Sequence, residues 1–392
     1  MPENPHWITR KYTLEFLTPA FLGGADQSGQ WRTPPFKALL RQWWRVVYAH
    51  QHGFQVNLLK MREAEGKLFG NAWLTDMHGD SAASRSLVRL RLSRWSQGRM
   101  QEWPRYPNGI IRHPEVEIRT RNSHEISDRI SSHLYLGFGP LAAAREEARF
   151  SNQRTAVEKG ECAELLLAER RDTNTGEEIG EMNSQTLHLM DLYGTVGGRS
   201  RNGWGSFRLL PVNSGWPKIN IPLRNWREAL QLDWPHCIGQ DQRGPLIWRT
   251  VKEYTDWKEL MRDLACLKIA LRTQFRWEKD PPNQRHWLSY PVTNHHVGQW
   301  NEWNLRLPNS LRFKVRCVNG DPQRLAGVIY HMPCSPPPAF HPKGTVLQQV
   351  WEQVHSLLDE LAKPGGQRQL PRNLEQSVIE QITGIRLQRS QE

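Results

Sequence analysis

The sequence predicts an α+β protein, in which β-strands and α-helices follow one another along 392 residues. Some segments alternate apolar and polar residues, as half-buried strands do, and others repeat apolar residues every three or four positions, as amphipathic helices do. The order strand, helix, strand, strand, helix, strand occurs twice. This order favours sheets that carry their helices on one face.

The first half begins with a strand over residues 8–18, where Tyr12, Leu14 and Phe16 form the apolar side. A helix follows from Thr33 to about residue 50, because threonine can cap a helix and the two prolines after it suit the first helical positions. The other elements predicted in this half are strands at residues 87–92, 115–120, 162–169 and 206–210 and a helix at residues 183–193.

The second half begins after a linker at residues 211–222, which has three prolines and no helical period. Apolar residues at helical spacing predict helices over residues 257–275 and 345–362. Alternation predicts a strand over residues 311–318.

Length and composition limit the class of protein. The chain is long enough for two domains, which we expect at residues 1–215 and 216–392. It has no apolar run that could cross a membrane and no secretory signal pattern at its start, so we expect a cytoplasmic protein without a membrane partner. Five scattered cysteines without a C-x-x-C pair argue against a disulfide framework and against a zinc ribbon.

The composition is basic and rich in tryptophan. Lys and Arg together number 52 against 40 Asp and Glu, a formal net charge of +12, and there are 18 tryptophans. Cations and flat aromatic side chains are what a protein needs to bind the phosphates and unstacked bases of single-stranded nucleic acid. The alternative is that tryptophan fills the cores and arginine keeps the protein soluble, and composition alone does not decide between the two.

The first candidate site lies on the helix that follows the two prolines. At 100° per residue its apolar residues share one broad face, while Lys37, Arg41 and Arg45 follow one another on the other side. Trp44 and Tyr48 fall within this basic stripe, so cations and aromatic planes alternate along it, as binding to an RNA backbone requires. The alternative is a solvated face on which arginines pack over indoles. The residues assigned to RNA binding here are Arg32, Lys37, Arg41, Trp44 and Arg45.

The second candidate site is the Gly-rich loop, residues 194–207, between a predicted helix and a predicted strand. Glycine lets a backbone approach a ligand closely, so N–H groups can meet phosphate while the arginines add charge. The order helix, loop, strand makes a dinucleotide fingerprint a poor alternative, because that loop follows a strand and opens a helix, and the lack of Gly-Lys-Ser/Thr argues against a P-loop. A flexible hairpin is the alternative. The residues assigned to RNA binding here are Gly197, Gly198, Arg199, Arg201, Gly203 and Trp204.

The third candidate is the strand at residues 311–318, where Arg312, Lys314 and Arg316 alternate with apolar residues. One face of that strand would then be basic, and we assign Arg312 and Lys314 to RNA binding. The alternative is an edge strand whose cations prevent aggregation. The arginine-rich residues 85–121 add positive surface without locating a site.

Signals for catalysis are few. None of the fifteen histidines has a metal-ligand spacing such as H-E-x-x-H. Asp26 follows two glycines and an alanine, where an aspartate could hold a metal or act as a base, but turn chemistry is the commoner reason for an aspartate there. We therefore expect no catalytic residue, no metal and no cofactor.

Several of these segments resemble one protein family. Residues 18–26 (TPAFLGGAD) and 32–45 (RTPPFKALLRQWWR) resemble the N-terminal motif of the RAMP superfamily. Within that superfamily they are similar to the first RAMP subunits of Cmr (type III-B) CRISPR effector complexes. The resemblance continues at residues 68–70 (LFG), at residues 135–140 (YLGFGP) and in the Gly-rich loop, and is weaker after it.

The resemblance implies two ferredoxin-like (RRM-related) βαββαβ domains with an inserted Gly-rich loop. It also implies a non-catalytic subunit that binds the 3′ end of a guide RNA (crRNA) and helps to engage target RNA, alongside other RAMP subunits and small subunits. By this resemblance Lys37, Arg41 and Arg45 lie along the guide–target channel, and Arg199 and Arg201 contact backbone phosphates.

Two alternatives accompany this interpretation. The first is a RAMP endoribonuclease that processes guide-RNA precursors without a metal, with a histidine such as His124 or His133 as general acid or base. The second is a structural cap that contacts protein neighbours and barely touches RNA. A steep loss of RNA affinity with salt distinguishes an RNA-binding subunit from such a cap.

Overall fold

The computed structural model describes residues 7–24, 27–72, 75, 79, 83–103, 109–116, 118–119, 126–143, 150–170, 176–364 and 369–390. Within these residues the β-strands are β1 Trp7–Phe16, β2 Val88–Leu92, β3 Ile110–Arg112, β4 Ile118–Arg119, β5 Ile126–Ser127, β6 Arg129–Ser131, β7 Leu141–Ala143, β8 Phe150–Gln153, β9 Cys162–Arg170, β10 Phe207–Pro211, β11 Leu223–Asn225, β12 Ile238–Asp241, β13 Gly244–Pro245, β14 Ile247–Thr250, β15 Leu311–Val318, β16 Asp321–His331 and β17 Leu387–Arg389. The α-helices are α1 Thr33–Gln51, α2 Leu58–Phe69, α3 Ser132–Gly137, α4 Gly176–Tyr193, α5 Trp226–Ala229, α6 Trp257–Thr273, α7 Gly298–Glu302, α8 Gly344–Ala362 and α9 Gln376–Thr383.

The chain divides into two units, each with its own sheet. The first unit contains the segments Met1–Gln101, Thr155–Ser200 and Trp204–Pro222. The second unit contains the segments Glu102–Arg154, Arg201–Gly203 and Leu223–Glu392. Mixed strands and helices with antiparallel main sheets confirm the predicted α+β class.

The sheet of the first unit has the spatial order β10–β1–β9–β2, and neighbouring strands are antiparallel. In β1 the predicted alternation is present, because Tyr12, Leu14 and Phe16 are buried while Thr9 and Lys11 are exposed. One face of this sheet therefore carries the core. The other face is open to solvent around its central strands.

Helices α1 and α4 pack against each other beside this sheet. Helix α1 begins at Thr33, and prolines occupy its first turn as predicted, although the residue before it provides no side-chain cap. Phe36, Leu40 and Trp43 are fully buried on its apolar face. Helix α4 begins at Gly176, well before the predicted start at residue 183, and ends at Tyr193, where the Gly-rich loop begins.

The sheet of the second unit has the order β15–β16–β14–β17, again with antiparallel neighbours. Helix α6 connects β14 to β15, and helix α8 lies between β16 and β17 in the chain. Both helices lie close to their predicted bounds. Strand β16 escaped prediction because residues 325–331 are all buried and so lack the alternation of a half-exposed strand.

Short strands complete the second unit. Strands β11, β12 and β13 form a three-stranded sheet, and β3 pairs with β6, β4 with β5 and β7 with β8. The strand predicted over residues 115–120 was wrong in extent. Among its described residues only Ile118–Arg119 form a strand, and residue 115 lies in a turn, while residues 117 and 120 are outside the described residues.

Most of the tryptophan is used for packing. Of the 17 tryptophans that the structure describes, eleven are buried, namely Trp31, Trp43, Trp44, Trp103, Trp204, Trp226, Trp248, Trp257, Trp287, Trp300 and Trp351. Among the described tryptophans only Trp95 and Trp303 are well exposed, at 57% and 49%. The tryptophan excess is thus mainly a property of the cores. In the described part of the chain, no helix has both the length and the apolar character that crossing a membrane requires.

Two histidines share a buried hydrogen-bond chain in the second unit. His355 Nε2 lies 3.0 Å from His331 Nδ1, and His331 Nε2 lies 3.0 Å from Ser310 Oγ. Trp351 packs 4.1 Å from the His331 ring, and Trp226 packs 5.1 Å from the His355 ring. Burial lowers the pKa of both histidines, that of His355 to about 3 with help from the charges of Arg389 and Arg227, so both rings are neutral in the folded protein.

We predict that this pair makes the fold sensitive to acid. In the unfolded chain each histidine takes up a proton near pH 6.5, whereas the folded chain does not until the pH approaches the lowered pKa. The contribution of this histidine pair to the free energy of unfolding is therefore complete above pH 6.5, and it decreases as the pH falls below that value. For His355→Gln, urea unfolding should give a dependence of the free energy on pH between 6 and 4 that is shallower by about 1.4 kcal/mol per pH unit. Parallel curves for both proteins would contradict the prediction.

Candidate nucleic-acid interface

The basic stripe on α1 is tied to one carboxylate of α2. Arg41 Nε donates to Glu65 Oε1 at 2.7 Å, and Arg45 donates from Nε and Nη2 to the two Glu65 oxygens, each at 2.8 Å. The side chains of Arg41 and Arg45 remain 40% and 41% exposed, whereas that of Glu65 is only 7% exposed. Both arginines thus pair with a buried acid and still reach solvent.

Glu65 stays ionised in this position. Burial by itself raises the pKa of its carboxyl group, but the hydrogen bonds and charges of Arg45 and Arg41 outweigh that effect, so the pKa lies below its usual value. The three groups together carry one net positive charge. The stripe is therefore less positive than the sequence suggests, because the sequence does not reveal which acid comes to lie beside it.

Trp44 does not take part in an exposed stripe, which corrects the prediction. It is only 2% exposed, and its ring lies 5.9 Å from Phe69, edge to face, and 5.1 Å from Tyr48. Tyr48 is also buried. Phe69 belongs to α2, so the packing of a second helix on this side of α1 turns an apparently peripheral position into core.

The remaining residues of the first site lie near the start of α1. Arg32 is half-buried, and its Nη1 donates to the carbonyl oxygen of Gly23 at 2.5 Å. That bond holds the glycine turn against the helix start. Lys37 is half-buried on the first turns of α1. Asp26 lies outside the described residues.

The glycines of the Gly-rich loop allow protein segments to approach each other. Gly205 has φ +63°, and a Cβ there would lie 1.9 Å from the carbonyl oxygen of Val196. Gly197 has φ +92°, and a Cβ there would lie 2.7 Å from the carbonyl oxygen of Phe21. The N–H of Gly198 donates to that same Phe21 oxygen at 3.0 Å. The predicted approach of backbone to ligand is thus, at these positions, an approach of backbone to backbone.

The two arginines of the loop differ in their surroundings. Arg199 is exposed and has a left-handed backbone with φ +56°, at the turn of the loop. Arg201 is half-buried, and its Nη1 donates to the carbonyl oxygen of Asn309 at 3.2 Å. Burial, and then the neighbouring guanidinium of Arg312, lowers the pKa of Arg201 to about 10, so it stays charged at neutral pH.

Trp204 is another correction within the loop. It was predicted as an RNA contact, but its side chain is fully buried, and its ring lies 5.2 Å from that of Phe21. Gly203, with φ +91°, lies against α6, where a Cβ would meet Met261 Sδ at 3.1 Å. Both residues therefore serve the packing of the loop.

The basic face predicted for β15 is also wrong. Lys314 is fully buried and Arg312 is only 6% exposed. The apolar residues Phe313 and Val315 on the other face of the strand are buried as well, so alternation of charged and apolar residues does not separate a solvent face from a core face here. The alternative of an edge strand is correct in one respect, because β15 is the last strand of its four-stranded sheet.

The tip of the Gly-rich loop covers that edge. The N–H of Phe313 donates to the carbonyl oxygen of Arg201 at 3.0 Å, and Asn202 forms a parallel bridge with Phe313. Asn202 Nδ2 donates to the carbonyl oxygen of Leu136 at 2.7 Å, and its Oδ1 accepts from Lys268 Nζ at 2.8 Å. The residues Arg201–Gly203 thus belong to the framework of the second unit.

The arginine-rich region divides into bound and exposed members. Arg94 Nη2 lies 3.0 Å from a carboxylate oxygen of Glu161, which is buried, and Arg99 contacts the same acid through its backbone N–H at 2.7 Å. Arg89 and Arg91 are instead exposed on the open face of the first sheet. Sequence reasoning missed them as individual candidates, although their alternation with apolar residues in β2 was the available signal.

The histidine candidates for catalysis do not form a site. His133 is fully buried, its ring lies 5.3 Å from that of Trp257, and burial lowers its pKa to about 3. His124 lies outside the described residues. Within the described ranges, no group of three or more His, Cys, Asp or Glu side chains could hold a metal ion.

Comparison with known proteins gives the family. A model of the RAMP superfamily matches residues 13–208, which is half of the chain. The chain belongs to the RAMP superfamily. No curated protein sequence matches it.

Solved structures similar to this RAMP protein include three CRISPR proteins. Cmr1 from Pyrococcus furiosus in its apo form is 13% identical, with a TM-score of 0.46 over 83% of this chain and 87% of that one. A chain of the type III-B Cmr-beta complex bound to cognate target RNA is 12% identical, with a TM-score of 0.45 over 89% of this chain and all of that one. A chain of a type IV-B CRISPR complex is 12% identical, with a TM-score of 0.31 over 54% and 94%.

The RAMP match covers β2 and β9 of the first sheet in full and β1 and β10 in part. It begins within β1, includes α1 and the Gly-rich loop, and ends at the second residue of β10. The segments with the most specific resemblance therefore lie within the matched range.

We predict that Gly205→Ala destabilises this RAMP protein. The left-handed backbone and the Val196 carbonyl oxygen both exclude a Cβ at this position, so the free energy of unfolding should fall by more than about 1 kcal/mol. Gly215→Ala is the matched control, because a Cβ there meets nothing within 4 Å, and it should change stability by less than about 0.5 kcal/mol. Equal urea midpoints for the two variants would show that the loop does not need the close approach.

Proposed function

We propose that this RAMP protein is a non-catalytic guide-RNA-binding subunit of a type III-B CRISPR RNA-guided interference complex. In this role it caps the 3′ end of the guide and helps to engage target RNA. The observation that carries the proposal is a RAMP Gly-rich loop whose turn presents an exposed arginine, Arg199, on a left-handed backbone. Within the described residues no ion pair holds Arg199, so a guanidinium at this turn can meet an RNA phosphate.

The assignment to type III-B rests on sequence resemblance. Residues 18–26 and 32–45 carry the motif that is similar to the first RAMP subunits of Cmr complexes. The partners in this proposal are guide RNA, target RNA, other RAMP subunits and small subunits. The proposed compartment is the cytoplasm.

The proposed RNA contacts are fewer than the sequence indicated. Arg41 and Arg45 keep about two fifths of their side chains exposed, Arg199 is exposed, and Lys37 is half-buried on the same helix as the first two. We therefore retain these four as phosphate contacts. Trp44, Trp204, Arg312 and Lys314 are buried and are assigned to the framework instead, as are the glycines of the loop, while Arg32 and Arg201 have framework contacts of their own.

We further propose that each unit is a ferredoxin-like domain. The support is the strand order, because numbering the four main strands of each unit along the chain gives 4-1-3-2 in both sheets, with helices in the two crossover connections. The segment Glu102–Arg154 is then an insertion between the second and third strands of the first domain that groups with the second unit.

The non-catalytic part of the proposal has a structural argument. A general acid or base must reach the reacting group through a hydrogen bond or one water, and it works best with a pKa near the working pH. His133 is fully buried with its pKa lowered to about 3, which disfavours it in this role. We therefore predict no cleavage when the purified full chain is incubated with repeat RNA in a chelator. Metal-independent cleavage there would support the endoribonuclease alternative.

We predict that the stripe on α1 contributes phosphate contacts. Replacing Arg41 and Arg45 alone would leave Glu65 as a buried, unpaired charge, so the test variant is Arg41→Ala, Arg45→Ala and Glu65→Gln together. It should bind single-stranded RNA several-fold more weakly regardless of sequence, because backbone contacts do not read bases. The slope of log affinity against log salt should become shallower by about 1.4, the value for two lost phosphate contacts.

The control for this experiment is Glu65→Gln alone. It keeps both guanidinium groups and removes the negative charge beside them, so its RNA affinity should equal or exceed that of the unmodified protein. If the triple variant binds RNA as well as the unmodified protein while remaining folded, Arg41 and Arg45 serve only to join α1 and α2.

We also predict which molecules accompany the chain in its host. A tagged full-length protein should co-purify with small RNAs of a defined length class and with other RAMP subunits. Co-purification of proteins without RNA, together with RNA binding that does not respond to salt, would favour the structural cap.

A further inference from the structure

The open face of the first sheet carries charge that neither the sequence motifs nor the α1 stripe includes. Strand β1 contributes Thr9 and Lys11 to this face, and β9 contributes Glu164, Leu166 and Ala168. Strands β2 and β10 extend the face on the two sides. Because side chains alternate along a strand, all of these residues project away from the core.

Part of this face is neutralised by its own ion pairs. Lys11 Nζ lies 3.3 Å from Glu164, one strand away. Arg208 on β10 lies opposite Glu15 on β1, and its Nη2 lies 2.5 Å from Glu15 Oε2. Toward β10, cations and acids are therefore matched one to one.

The end of the face toward β2 is different. Here Trp7, Arg89, Arg91 and Arg170 form a set that we call the Trp7 corner. Arg170 lies opposite Trp7 in the register of β9 and β1, and Arg89 and Arg91 lie two residues apart on β2, about 7 Å along the strand. All three arginines are exposed.

At the corner the indole of Trp7 lies beside an arginine side chain. The Cζ atom of Arg89 lies 4.2 Å from the centre of the Trp7 ring, a cation–π contact. Arg89 stands opposite Ala168 in the register, and the small side chain of alanine leaves room for the arginine to reach across β9 to β1. Within the described residues, no carboxylate lies within 4 Å of the guanidinium groups of Arg89, Arg91 or Arg170.

We propose that the Trp7 corner binds a single-stranded RNA segment, with Arg89, Arg91 and Arg170 on its phosphates and a base stacked at Trp7. The inference rests on the proposed function, because it names a second contact surface for the same ligand. It assigns a role to arginines of residues 85–121 that the family resemblance leaves open.

The chemistry of the corner favours RNA over an acidic protein surface. Arginine forks suit phosphate, and an indole beside them provides the flat apolar surface on which a nucleobase stacks. An acidic protein surface would match the three charges as well, but it does not repeat its negative charge at the regular spacing of a phosphate backbone. Repeating cations on a rigid strand also fit a polymer that repeats its negative charge.

The test measures RNA affinity of the full chain by fluorescence anisotropy with a fluorescein-labelled single-stranded RNA of mixed sequence at several salt concentrations. In the variant Arg89→Gln, Arg91→Gln and Arg170→Gln, affinity near 0.15 M salt should fall at least about ten-fold, and the slope against salt should become shallower by about 2, as three lost phosphate contacts require. Trp7→Leu should lower affinity at least about five-fold without changing the slope, because it removes stacking and no charge.

The matched control replaces three exposed cations of α2, as Lys60→Gln, Arg62→Gln and Lys67→Gln. This variant loses the same charge away from the corner, so its affinity and salt slope should change clearly less than those of the corner variant. Equal losses in both variants would mean that only net charge matters, and the corner would not be a site. Thermal unfolding of each variant verifies that the fold is kept.

The remaining outcomes separate this inference from the proposed function. If the unmodified chain shows no salt-dependent RNA binding, the proposed function fails, and the inference fails with it. If the unmodified chain binds RNA and the corner variant binds equally well, the inference alone fails. If the corner variant keeps RNA affinity but no longer co-purifies with partner subunits, the corner is a protein interface and the inference is overturned.

Discussion

A buried carboxylate needs a cation beside it, and this requirement governs which arginines of the protein are free to act. Glu65 and Glu161 are both largely excluded from solvent. Glu65 accepts hydrogen bonds from Arg41 and Arg45, and Glu161 forms an ion pair with Arg94. Removing either acid's partners would leave an uncompensated charge in a medium of low polarity. Several arginines that the sequence shows as a basic stripe or region are therefore paired with acids in the fold, and a count of cations along a segment overstates the basic surface there.

The same reasoning connects the fold to its surface. Arg41 and Arg45 hold α2 against α1 through Glu65, and that contact buries Trp44 against Phe69. On an isolated helix α1 this pattern would be an exposed stripe. Once α2 packs beside it, Trp44 is buried while Arg41 and Arg45 stay partly exposed. The charge that remains at the surface is smaller, but its arginines are held in fixed positions, which favours binding without a large loss of side-chain freedom.

The glycines of the Gly-rich loop are explained by packing within the protein. Its glycines permit contacts with the Val196 and Phe21 carbonyl oxygens that a Cβ would prevent, and its tip pairs with the edge strand β15. Packing within the fold therefore accounts for these two glycines. Arg199 lies at an exposed turn of the loop, which is why it remains the strongest single candidate of the loop.

The sequence by itself determined the α+β class, the helices α1, α6 and α8, the strands β1, β9 and β15, and, through residues 18–26 and 32–45, the family. These features depend on local periodicity and on contiguous motifs, which a sequence contains directly. Only the tertiary structure decided that Lys314 and Trp204 are buried, that Glu65 pairs with Arg41 and Arg45, and that Arg89 lies over the Trp7 ring while Arg170 stands opposite Trp7 in the sheet. These facts depend on residues tens or more than a hundred positions apart meeting in space, and burial of a charged side chain is set by what packs on it rather than by its neighbours in the chain.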